Sequence, residues 1–130
     1  MTNHEVYQTA LAILGEVESD CADYEARMPL LLASIVQAHA AMDHLYREAN
    51  GLSTGWGIST DGAVDPSAEF ELSDRFATVA AYELAAKLIG RDNPDFAERC
   101  TKTAQAELDK ITHSEIPASV HLISTEEQPS

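Results

Sequence analysis

The sequence predicts an all-α domain, a small bundle of about four helices with a long irregular loop between the second and third. Three observations carry this expectation. Apolar residues recur at three- and four-residue spacing in four separate segments. Hydrophobic residues make up 45% of the chain but aromatics 6%, so the core is built mainly from Ala, Leu, Ile and Val. Such a core suits helices in close contact better than a sandwich or barrel. Finally, one stretch of roughly twenty residues breaks the periodicity, which is long for a connection inside a compact domain.

The first helix opens at Thr2-Asn3-His4-Glu5, a capping box in which Thr2 caps and Glu5 reaches back. Val6, Ala10, Ile13 and Leu14 then follow at helical spacing, and Gly15 stands where a left-handed terminal residue belongs. An acidic linker, Glu16 to Asp23, leads into a second helix ending at Asn50-Gly51. Its stripe is Met28, Leu31, Leu32, Ile35, Val36, His39, Met42, Leu45, Tyr46 and Ala49. Proline kinks a helix interior, so a short turn is expected before Pro29 and the main rod after it.

Residues 51–70 hold Gly51, Gly55, Gly57, Gly62 and Pro66 among Ser, Thr and Asp. Asp-Gly is a strong turn signal, so Trp56, Ile58 and Val64 are candidates for a short hairpin across Thr60-Asp61-Gly62. The third helix is expected to begin at Ser73 as cap, with Asp74 favourable to its dipole. It carries Phe76, Val79, Ala80, Tyr82, Leu84, Ala85, Leu88 and Ile89, and Gly90 closes it. The fourth begins at Asp92-Asn93-Pro94, a cap followed by proline at the first helical position. Phe96, Ala97, Cys100, Ala104, Leu108 and Ile111 form its stripe. A helical domain over 1–112 and a C-terminal tail over 113–130 are therefore expected, with Val120, Leu122 and Ile123 as one apolar patch in the tail.

Charge and cysteine content narrow the function classes. The 22 acids against 8 bases give a net charge of −14. That balance argues against wrapping a nucleic-acid backbone, which requires Lys and Arg to neutralise phosphates. It suits solubility, or a surface that repels nucleic acid or meets a basic partner. Cys21 and Cys100 each lack a second cysteine at metal-ligand spacing and read as small buried hydrophobes in a reducing compartment. No basic segment followed by an apolar run opens the chain, so no signal peptide is expected. The apolar stretch around Leu30 to Val36 is too short to span a bilayer.

Each candidate chemical site lacks a component. His39 with Asp43, and His44 with Glu48, are spaced four apart as two metal ligands on one helix face would be. A catalytic zinc needs a third protein ligand, and no HExxH pattern supplies it. A surface pair or a core-edge histidine is the plainer assignment. Glu71 and Asp74 form an ExxD, the kind of acidic pair with which all-helical nucleotide pyrophosphohydrolases hold magnesium. Glu71 precedes the expected cap, however, and the helix upstream offers Asp43 and Glu48 without an EExxE. Two acids stabilising a helix N-terminus are the plainer assignment. No GxSxG surrounds a serine, and the acids around Cys21 disfavour a thiolate. The glycines near Trp56 come without the lysine of a phosphate loop. No catalytic, cofactor or metal residues are assigned, and no cofactor is expected. The candidate partner contacts are Trp56, Ile58, Val64, Val120, Leu122 and Ile123, chosen as apolar residues in irregular segments. Trp56 reads equally as folded back onto the helices or as an exposed interface anchor.

The order of features adds a resemblance. After the short first helix come Asp23-Tyr24-Glu25-Ala26-Arg27-Met28-Pro29-Leu30-Leu31-Leu32, a long helix and a variable loop. Phe70-Glu71-Leu72-Ser73-Asp74 then opens the helix containing Ala80-Ala81-Tyr82-Glu83-Leu84-Ala85-Ala86-Lys87-Leu88, and a last helix follows Asp92-Asn93-Pro94-Asp95. Over residues 3–112 this resembles the small helical head–tail connector (adaptor, or neck) proteins of tailed bacteriophages and prophages. The resemblance implies a non-catalytic virion subunit that forms a ring of identical copies between the portal and the tail or stopper proteins. DNA would pass through the channel without specific binding, and no membrane would be involved. Such a subunit would belong to the virion neck and, during assembly, to the host cytoplasm. Two other readings stand beside it, a magnesium-dependent helical nucleotide hydrolase and a small bacterial interaction or regulatory adaptor.

Overall fold

A computed structural model describes residues 1–54 and 62–116. The described chain is all-α. It contains α1 (Asn3–Leu14), α2 (Ala22–Ala49), α3 (Ala77–Ile89) and α4 (Pro94–Ser114), with single 3-10 turns at Glu18–Asp20 and Asp74–Phe76. This is the small bundle of about four helices that the periodicity predicts. The expected hairpin turn falls largely on residues 55–61, outside the described residues.

α3 is the central element, packed against α1, α2 and α4. Its sequence explains the position. Val79, Ala80, Ala81, Leu84, Ala85, Ala86 and Leu88 are all buried. A helix apolar on most of its circumference has to be surrounded, and the alanines let three neighbours approach closely. Tyr7, Leu32, Phe76, Leu84 and Ile111, all fully buried, fill the spaces between helices. Each such side chain contributes roughly 1.5–3 kcal/mol relative to exposure.

The helix ends follow the local chemistry of the sequence. The Thr2 hydroxyl accepts the Glu5 N–H at 3.2 Å, and the Glu5 carboxylate accepts the Thr2 N–H at 2.8 Å. The Thr2 N–H, and the Thr2 hydroxyl donating to the same carboxylate at 3.2 Å, hold the Glu5 carboxyl below its ordinary range. Gly15 ends α1 at φ 73°, a conformation that costs glycine little and other residues more. Asn93 caps α4 by accepting the Phe96 N–H at 3.1 Å, with Pro94 in the first turn.

Three boundaries differ from the sequence expectation. α2 is one helix from Ala22 to Ala49 with Pro29 inside it, not a turn followed by a rod. Pro29 has no N–H to give to the carbonyl four residues back, and this bond is the one the ring removes. Met28 and Leu32, 1% and 0% exposed, anchor the helix to the core on both sides of the proline. The Pro29 carbonyl instead accepts the Val64 N–H at 3.1 Å. Next, Ser73 is followed by a 3-10 turn, and α3 proper starts at Ala77. Ser73 makes no side-chain cap bond. Last, α4 continues past 112 to Ser114, and Ile116 is 3% exposed in the core, so helix and packing extend into the segment read as tail. Residues 117–130 are outside the described residues.

The connection between α2 and α3 is fastened to α1 where it is described. Asn3 N–H donates to the Ala68 carbonyl at 2.9 Å, His4 N–H to Pro66 at 2.8 Å, and Phe70 N–H to Met1 at 2.8 Å. Thr2 and Glu69 form an isolated antiparallel bridge. The buried Asn3 side chain donates to the Asp65 carbonyl at 2.9 Å. Backbone groups that an irregular segment would otherwise bury unpaired are satisfied this way.

Candidate functional site

The polar residues that looked most like chemistry form a structural clamp. Asp43 lies seven residues after Val36 and four after His39, so helical geometry puts it on the buried stripe of α2. It is 3% exposed. One carboxylate oxygen accepts the Ser73 backbone N–H at 2.9 Å, and the other accepts Arg47 Nε at 2.9 Å. Arg47 then donates to the Ser53 carbonyl at 3.2 Å and the Glu71 carbonyl at 3.4 Å. A buried carboxylate is tolerated when it is paired and hydrogen-bonded. Here the pairing fixes both ends of the connection to α2.

The metal and magnesium candidates are dispersed. His39 does not face Asp43. Its Nε2 lies 2.6 Å from Glu83 Oε1 on α3, and the two side chains are 11% and 29% exposed. The His39 ring also sits against Phe76, centroid to centroid 6.4 Å. His44 and Glu48 are an exposed pair at 3.1 Å along α2. Asp74 is 80% exposed at the surface, whereas Asp43 is in the core. The carboxylates of the magnesium reading therefore do not converge. Among the described residues no group of three His, Cys, Asp or Glu side chains is placed to hold a metal ion.

The cysteines occupy the positions expected of small hydrophobes. Both are buried thiols. Burial pushes the Cys21 thiol above its ordinary value, and Glu16, Asp20 and Glu18 push it further. Burial likewise raises Cys100, with Arg99 opposing. Neither environment favours a thiolate nucleophile.

Of the candidate partner contacts, Trp56, Ile58, Val120, Leu122 and Ile123 lie outside the described residues. Val64 is corrected by the structure. It is 7% exposed within the core cluster, and its N–H is bonded to Pro29. Its side chain offers no outward surface in the folded chain.

Sequence reasoning missed the arginines that tie elements together. Arg27 donates to the Lys87 carbonyl at 3.2 Å and the Leu88 carbonyl at 3.4 Å, joining the start of α2 to the end of α3. Arg75 meets Glu115 with Nε–O distances of 2.9 and 2.7 Å, fixing the end of α4 to the start of the α3 unit. Asp43 and Arg47 carried a visible signal, an acid and a base four apart with the acid on the apolar stripe. Arg27 and Arg75 carried none, because their partners are remote in sequence.

No family model, curated protein or solved structure matches this chain. Among the described residues, no helix is long and apolar enough to cross a membrane.

Proposed function

We propose that this chain is a structural subunit of the head–tail connector type, assembling as a ring of identical copies between a phage portal and the tail or stopper proteins. The observation that carries the reading is the use made of the chain's chemistry-bearing residues. Asp43, Arg47 and His39 are engaged in joining α2 to the connection and to α3. The chain is thereby better suited to presenting surfaces than to turning over a substrate.

Two further features support it. The phrases that carry the resemblance sit at framework positions. In Asp23–Leu32, Arg27 bonds the end of α3 and Met28 and Leu32 are in the core. In Phe70–Asp74, Phe70 and Leu72 are buried and Ser73 is held by Asp43. The charge of −14 fits a channel wall that passing DNA does not grip.

Sizing of the purified chain mixed with a tailed-phage portal protein tests the proposal. A portal-bound species carrying many copies is expected. A chain that ignores portal assemblies counts against it. The magnesium hydrolase alternative requires the dispersed carboxylates to act together, and calorimetry with magnesium and nucleoside triphosphates is expected to give neither heat nor turnover.

A further inference from the structure

A groove of about 340 Å³ runs between α1 and α4 over α3, lined by Ile13, Tyr82, Phe96, Arg99, Cys100 and Thr103. Arg99 is exposed, its guanidinium 5.3 Å from the centroid of the Phe96 ring. Arg27, Arg47, Arg75, Lys102 and Lys110 each have a carboxylate at ion-pair distance. Arg99, like the exposed Lys87 and Arg91, has none among the described residues, and of these three it alone lines the groove. An unpaired arginine beside two aromatic rings in a cleft has the composition of an interface hot spot, and its complement is an apolar side chain next to a carboxylate.

The same chain carries that complement. Val17 is 61% exposed between Glu16 and Glu18, on extended backbone at φ −96° and ψ 126°. The Glu16 carboxylate has no partner among the described residues. Glu18 is held at 3.1 Å by His4 and 3.2 Å by Gln8, which ties the segment after Val17 to the His4–Gln8 side of α1. Ile13, on the groove side, is nine residues from His4, about half a turn round the helix at 3.6 residues per turn. Glu16 and Val17 are not among the residues that line the groove, so knob and groove are separate patches. Two complementary patches that do not overlap join copies head to tail, giving a ring when the rotation closes and a filament when it does not.

We propose that Val17 of one copy inserts into the Tyr82–Phe96 groove of the next, with Glu16 meeting Arg99. This names the contact between copies within the ring reading above and rests on it. The knob is small against the roughly 800 Å² per partner of a stable interface, so free copies associate weakly and a template gathers them.

Sedimentation velocity of the chain alone, from micromolar to millimolar concentration, tests the contact by charge exchange. Wild type is expected to form concentration-dependent larger species. Glu16→Arg places arginine against Arg99, and Arg99→Glu places glutamate against Glu16, so each variant alone is expected to stay monomeric. Mixing the two variants, or combining both changes in one chain, restores an opposite pair and is expected to restore assembly. Val17→Asp is expected to abolish it. All three residues are exposed, and circular dichroism checks that the variants keep the fold. A wild type monomeric at millimolar concentration, single variants that assemble like wild type, or a mixture that stays monomeric would each overturn the contact. Failure to bind portal while the charge exchange succeeds would overturn the connector reading and leave the contact standing.

Discussion

The Asp43 carboxylate caps the Ser73 backbone N–H at 2.9 Å from a different helix, while the buried Ser73 hydroxyl has no hydrogen-bond partner among the described residues. The N-terminus of the α3 unit is therefore stabilised across the fold and not by its own serine. The consequences of this arrangement are measurable.

Asp43→Ala takes the carboxylate away from the Arg47 Nε and the Ser73 N–H together. Removing one partner of a largely buried ion pair is strongly destabilising, and a loss of about 3 kcal/mol is expected. Urea denaturation followed by circular dichroism measures it. A change below about 0.5 kcal/mol, the range of ordinary surface substitutions, would mean that the clamp does not hold the connection.

Ser73→Ala behaves oppositely to the usual N-cap substitution. A capping serine costs about 1 kcal/mol on replacement by alanine. Here the hydroxyl is buried and unbonded, so its removal relieves an unsatisfied group and is expected to be neutral or stabilising. The same denaturation series decides, and a loss near the full cap value would show that the hydroxyl, not Asp43, caps this turn.

Thr2→Ala supplies the positive control. Its hydroxyl does bond the Glu5 N–H in the capping box, and replacement is expected to cost about 1 kcal/mol. A null result in the denaturation midpoint would indicate that the backbone bonds between α1 and residues 66–70 hold this end without the cap.

Alkaline pH weakens the fold through Tyr7. Burial pushes its phenol from 10.0 up to about 12, so the folded state favours the neutral form. For a raised value, the stabilisation is complete below the unfolded value of 10.0 and is lost as pH rises through about 12. Tyr24 is shifted upward by burial and Asp92, and adds in the same direction. The thermal midpoint is expected to fall over that window, and Tyr7→Phe is expected to flatten the fall. An identical pH profile in the variant would exclude Tyr7 as the cause.

Much of the framework was legible because it rests on neighbours in sequence. The capping box at Thr2, the left-handed Gly15, the Asn93-Pro94 start and the four apolar stripes depend on spacings within one or two turns. The features that escaped depend on distant partners. Pro29 reads as a break until Met28 and Leu32 are seen anchored in the core. Ser73 reads as a cap until its hydroxyl is found unbonded and its own N–H held by a carboxylate thirty residues away. Val64 reads as a loose loop apolar until its N–H is found on the Pro29 carbonyl. The candidate chemistry misled because each residue has its own partner. His39 and Asp43 share the buried stripe of α2 one turn apart, but His39 meets Glu83 on α3 and Asp43 meets the connection at Ser73, while Glu48 is turned to solvent.

Assembly on a portal is tested most directly by electron microscopy of the chain incubated with a tailed-phage portal. The account predicts repeated copies arranged as a ring coaxial with the portal, continuing its channel. Portal particles whose density is unchanged by a saturating excess of the chain would contradict it.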